Sequence, residues 1–456
     1  NTESLTVDAG SADVTFSGAV GGTTSLANIS VTGAAITAAA VKADSAISVT
    51  NSAASTISGV ISGDASFTKA GSGSLTLSGA NTYAGATAVD AGTLIAANSS
   101  GTTINNASAV TVASGATLDL RYSETLGSLA GAGTVTVGSA GAKTLTVGAL
   151  DSDTAFSGVL QDGSGSLLLT KSGTGTFTLT GANTYTGATL ISAGSLVFER
   201  NAPSITTSGF SGSGSLVIQS AGTAFTSAYT FSATTSSLGG LTLGKSGSTA
   251  NITLSAAQSV AGAVRIYGAN IAINAALTAT GSNTIWLYGS GTVNGSGAIT
   301  ADKLALMSGA VSLTTASNNI GTLAADGVSS LSYVDSDALT VGVVNPTGIS
   351  VTGAVRISTV SGDLTVSENI ATTDTSSSAI VLIASSGTAA GTSTGGNVLI
   401  SNGASLTTGS NGRVLIYTGS VSGSTGVTST VGSGSGKFRY NSKEGTSNFT
   451  TALTSS

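Results

Sequence analysis

Apolar and small polar residues alternate along this chain with a period of two almost everywhere. Leu75-Thr-Leu, Val110-Thr-Val, Leu118-Asp-Leu, Val135-Thr-Val, Leu145-Thr-Val and Phe177-Thr-Leu each place aliphatic or aromatic side chains on one face and hydroxyls or a carboxylate on the other. This is the pattern of a half-buried strand. Ser-Gly, Ala-Gly, Asn-Gly and Gly-Ser pairs separate the runs and supply turn chemistry. Only Pro203 and Pro346 lack a backbone N–H, so nearly every residue can join a hydrogen-bonded ladder. No segment holds a capped 3.6-residue apolar period, which predicts essentially no helix.

The pattern repeats at long range. Residues 67–87, FTKAGSGSLTLSGANTYAGAT, return as residues 169–189, LTKSGTGTFTLTGANTYTGAT, so that Lys69 maps to Lys171, Tyr83 to Tyr185 and Gly92 to Gly194 without insertion. A strand-turn unit of this kind cannot bury its own apolar face and must stack on copies of itself. A sandwich or barrel could also use short strands. The stack accounts at once for the self-similarity, the frequent turns and a core of small aliphatics. The expected fold is all-β, a single right-handed parallel β-helix over residues 1–456. Residues 1–60 form N-terminal coils, 61–201 the repeats and 202–456 later coils. At roughly 20 residues per coil and ~4.8 Å per rung, such a rod would be on the order of 110 Å long.

In the later coils, strands led by glycine recur. Gly262-Ala-Val-Arg-Ile, Gly309-Ala-Val-Ser-Leu, Gly353-Ala-Val-Arg-Ile, Gly362-Asp-Leu-Thr-Val, Gly396-Asn-Val-Leu-Ile and Gly412-Arg-Val-Leu-Ile read as one face of successive coils, each after a turn that needs glycine. The apolar run Ala379-Ile-Val-Leu-Ile-Ala reads as a strand covered on both sides, with residues 385–396 folding over it.

Composition narrows the function. Charged residues make up 7% of the chain against a usual ~25%, while apolar residues reach 40%, which excludes a disordered chain. There is no cysteine and no histidine, which removes disulfides, thiolate chemistry and the commonest neutral-pH base and metal ligand. The net charge of −6 gives no basic footprint for nucleic acid. No apolar run reaches the roughly 18 residues of a membrane-spanning helix. Asn1-Thr-Glu-Ser-Leu-Thr-Val is already strand-like, so the reading expects a mature product or an excised piece.

The repeat residues Lys69, Gly71, Gly73, Asn81, Tyr83 and Gly85, with Lys171, Gly173, Gly175, Asn183, Tyr185 and Gly187, form the pattern K-x-G-x-G-x-L/F-T-L-x-G-x-N-T-Y-x-G. This resembles the passenger-associated repeat of autotransporter proteins. Ile299-Thr-Ala-Asp-Lys-Leu-Ala-Leu and Asn319-Ile-Gly-Thr-Leu-Ala-Ala are similar to filamentous-haemagglutinin-like exoproteins. Both families are secreted by Gram-negative bacteria as right-handed β-helices. The resemblance therefore implies an extracellular or cell-surface structural fibre, such as a component of a biofilm matrix, exported through an outer-membrane translocator. An adhesin for host or surface glycans or proteins is the alternative, and a polysaccharide-degrading enzyme a third.

Candidate sites are few. Asp151 with Asp153, and Asp335 with Asp337, are the densest acidic spots and read as solvated turns; no catalytic, cofactor-binding or metal-ligating set is expected. Tyr83 and Tyr185 read as packing over a turn that Asn81 and Asn183 cap. The single tryptophan, Trp286, falls on the Tyr288 side of its strand and is expected to form an outward aromatic patch, with Ile285 and Leu287 in the core. The chain starts acidic (Glu3, Asp8, Asp13) and finishes basic (Lys437, Arg439, Lys443). Opposite charge at open ends suggests head-to-tail self-association into a filament; continuation into a larger exoprotein explains it equally.

Overall fold

The structure is a computed structural model that describes residues 2–431 except 204, 390, 391, 393, 394, 402 and 421. It contains two compact units, Asn1–Ala221 and Gly222–Ser456. Both are parallel β-solenoid, with about 18 turns between them. The only helix among the described residues is the short Val427–Val431.

In the first unit one ladder runs through Val14–Phe16, Ile36–Ala38, Ser55–Ile57, Ser74–Leu77, Thr93–Ala96, Thr117–Leu120, Thr134–Val137 and Val159–Leu160. Every pairing in it is parallel and in register, so like stacks on like: Leu75, Leu94, Leu118, Val135 and Leu160 form one aliphatic column. The period-two pattern creates that column, because an in-register rung must present the same parity inward as its neighbour. Each of these side chains is completely buried. Full burial of one such residue contributes about 1.5–3 kcal/mol. A facing ladder continues Ser4–Asp8 through Leu26–Gly33, Val41–Asn51, Ser66–Ala70, Thr87–Val89 and Ala109–Val112.

The second unit repeats the arrangement with a column of Ile252, Ile271, Val293, Val311, Leu331, Val355, Ile380 and Val414. Ile380–Ile383 is buried at all four positions, as its unbroken apolar run predicts.

The glycine-led strands depart from expectation in two respects. They occupy two ladders: the strands after Gly309, Gly353 and Gly412 belong to the column just described, while those after Gly262, Gly362 and Gly396 lie in the other sheet. Of the six glycines only Gly362 has a left-handed φ. The others are required for close approach. A Cβ on Gly262 would stand 1.8 Å from the Gly239 carbonyl oxygen, and one on Gly396 1.6 Å from that of Gly362. Stacked turns bring backbone against backbone, and only a residue without a side chain fits between them.

Candidate functional site

The repeat residues assemble inside the first unit. Period two puts Lys69 on the same face as Phe67, and both are fully buried. The lysine stem fills the core and its Nζ donates to Ala70 O (2.7 Å), Gly71 O (2.7 Å) and Ala91 O (3.0 Å). The first two carbonyls belong to its own turn and the third to the next winding, so one ammonium ties both. Lys171 repeats this with Ser172 O, Gly173 O and Ala193 O at 2.6, 2.8 and 3.4 Å. Burial pushes the Lys69 ammonium down to about 8. Lys171 is lowered for the same reason, with Asp151 and Asp153 opposing. Three carbonyl acceptors suit the charged form, which offers three donors.

Asn81 works in both directions along the stack. Its Oδ1 accepts from Ile61 N at 2.8 Å, 20 residues earlier, and its Nδ2 donates to Thr103 O at 2.6 Å, 22 residues later. Asn183 Oδ1 accepts from Leu160 N at 2.9 Å. Tyr83 and Tyr185 are core residues. The Tyr83 hydroxyl meets Thr87 Oγ1 at 2.6 Å, which meets Ser108 Oγ at 2.9 Å, which donates to Gly85 O. In the second copy Tyr185, Thr189 and Thr207 form the same relay, ending on Gly187 O. Gly71 and Gly173 take left-handed φ of 76° and 68°; Gly73, Gly85, Gly175 and Gly187 each have backbone of the preceding winding within 2.7 Å of where a Cβ would stand. The whole motif is therefore turned inward. It pins windings together and offers no surface to a ligand.

Three carboxylates are buried among the described residues, Asp119, Glu124 and Asp335, and only Asp119 is paired with a cation, Arg121 Nη2 at 2.9 Å. Glu124 accepts from Ile104 N (3.0 Å) and Thr103 N (3.3 Å). Burial raises its carboxyl from 4.5 to about 7. Asp335 accepts from Ile320 N, Tyr333 Oη and Asp337 N and is likewise raised, from 3.8 to about 7. It is completely buried, which corrects the reading of Asp335 as part of a solvated turn. Asp337 faces Asn319 Nδ2 at 3.2 Å. Asp151 and Asp153 are exposed and accept from Thr174 N and Thr176 N, each at 2.6 Å. No group of three or more acidic residues positioned to hold a metal ion occurs among the described residues.

A folded carboxyl pKa above the unfolded one means that the native state binds more protons between about 4.5 and 7. Stability is then greatest below that window and is lost as pH rises through about 7. A shift of this size for Glu124 is worth on the order of 3 kcal/mol. Glu124→Gln cannot titrate, but its amide nitrogen cannot accept from one of the two N–H groups, so it is expected to lower the urea midpoint at pH 5 and to lower it less, or raise it, at pH 8. Urea titrations at the two pH values check this; equal effects at both would remove the titration of Glu124 as the cause.

The outward aromatic residues lie in the second unit. Ile285 and Leu287 are buried, while Trp286 and Tyr288 are half-buried on the opposite face of the strand. Register places Arg265 beside Trp286 and Tyr267 beside Tyr288. The guanidinium carbon stands 4.5 Å from the indole centroid, and the tyrosine rings stack at 4.5 Å and 7°. Trp286 Nε1 donates to Asn345 O at 3.2 Å, on a loop closed at its base by Gly348 N to Gly342 O. At the start of the chain Glu3, Asp8 and Asp13 are exposed; Asp8 accepts from Gly10 N and Asp13 from Ala35 N. Lys437, Arg439 and Lys443 lie outside the described residues.

A model of the passenger-associated-transport-repeat family matches residues 67–96 and 169–198. These are the two stretches whose lysine, asparagine and tyrosine pin the windings. No curated protein and no solved structure matches the chain.

Proposed function

We propose that this chain is the exported, passenger part of an autotransporter-like protein, held outside a Gram-negative cell as a stiff, non-enzymatic structural element. The observation that carries the reading is the pair of matches to the transport-associated repeat, both set in the same way within a parallel solenoid. Stiffness follows from main-chain ladders that pair each winding with the one before it. The sparse charge leaves a coat of Ser, Thr, Ala and Gly with little for a protease to grip.

The test is export. Fused ahead of an autotransporter β-barrel in a Gram-negative host, the chain is expected to reach the surface, where antibody labels it on intact cells and external protease removes the label. Retention in the periplasm, under conditions where a known passenger on the same barrel is displayed, would overturn the proposal.

A further inference from the structure

The outward face around Trp286 differs from the rest of the coat. Three neighbouring rungs supply it: Gln258–Gly268, Thr284–Gly289 and Ile299–Met307. One column of this face runs Arg265, Trp286, Ala305, the alanine completely buried; the next runs Tyr267, Tyr288, Met307; on the other side Lys303 pairs with Thr284, which is itself buried. Six large or cationic side chains thus share this face. The first two strands contain no acid, in a chain of net charge −6. Asp302 and Asp326 stand at the margins. Among the described residues neither the Arg265 guanidinium nor the Lys303 ammonium is engaged in a hydrogen bond or ion pair.

The geometry points to a binding face for an extended acidic polysaccharide of the uronic-acid type. A guanidinium stacked on an indole keeps its N–H edge in the plane of the stack, where a carboxylate can accept two parallel bonds, and the ring shields that pair from water. Rungs repeat at ~4.8 Å, close to the length of one sugar ring, so a sugar chain lying along the coil meets about one rung per residue. Arg265 and Lys303 sit two rungs apart and two residues apart along the strand, Ala305 being the residue in line with Arg265, so a sugar chain reaches both by crossing the rungs obliquely. In a flat 1,4-linked ribbon alternate sugars present their carboxylates on the same side, so carboxylates two sugars apart are the pair that would meet the two cations. The tyrosine pair and Met307 offer apolar surface to the C–H faces of the sugars. The Asn345 loop, whose carbonyl accepts from Trp286 Nε1, bounds the face. This inference concerns the purified chain and does not depend on how it is exported.

Trp286 is the chain's only tryptophan, so its emission reports this face alone. Titration with a β-1,4-linked mannuronate tetramer is expected to change that emission saturably, and about fivefold or more weaker in 0.5 M salt than in 0.05 M. Arg265→Gln is expected to weaken binding about tenfold or more, and Lys303→Gln about threefold, with circular dichroism unchanged. Equal affinity for neutral cellotetraose would overturn the proposal. So would tighter binding of sulfated cellotetraose than of the uronate, or no change in emission up to about 10 mM uronate.

Discussion

Lys69→Met is expected to destabilise the first unit by about 3 kcal/mol or more, and Lys171→Met by a similar amount. Methionine keeps the length and apolar contacts of the stem but removes the donors. Three carbonyl oxygens per site then lose their partner inside the solenoid. Each buried acceptor left unpaired costs about 1–3 kcal/mol, and the relief of no longer burying an ammonium offsets only part of it. Because the two sites lie in different windings, the double variant is expected to show the sum of the single effects. Urea unfolding measures both. A loss below about 1 kcal/mol would mean that water replaces the ammonium and that the lysine is not what closes the turn.

Gly173→Ala is expected to be as damaging, for a steric reason. Its φ of 68° costs any L side chain about 1–2 kcal/mol. The added methyl would also stand 2.0 Å from Gly148 O and 2.7 Å from Asp151 Oδ1, so two windings must part to admit it. A total above about 3 kcal/mol is expected, within the range reserved for overpacking joined to backbone strain. Gly115→Ala provides the matched comparison: its φ is 81°, but nothing lies within 4 Å of the new methyl. Equal melting-temperature losses for the two variants would show that stacking contact plays no part.

The fold was readable because period two and the 102-residue repeat say the same thing at different scales. Leu75 and Leu118 needed no structure to be placed inward. The same parity reaches further. Lys69 sits two residues after Phe67, and Lys171 two after Leu169, so alternation alone puts both lysines in the core. A charge in that position argues against the core, yet a long stem reaching a ring of carbonyls satisfies it. Asp335 follows the same parity, two residues after the buried Tyr333, although an Asp-Ser-Asp run reads as a solvated turn. The glycine-led strands failed differently. Five residues of local sequence cannot distinguish which face of a coil a strand joins, because both faces ask for the same alternation. The pairing of Arg265 with Trp286 was also out of reach, since it depends on a register between segments that only the stacked turns define.

Each winding is held to its predecessor by side chains that reach about 20 residues back, as Asn81 reaches Ile61 and Asn183 reaches Leu160. Within a unit, then, no segment waits for a distant one, and a whole winding can be duplicated or excised while the seams above and below still meet. Half a winding cannot, because every inward residue beyond the cut would face water. The length of a unit becomes a quantity that recombination can adjust in whole steps, without redesigning the interior.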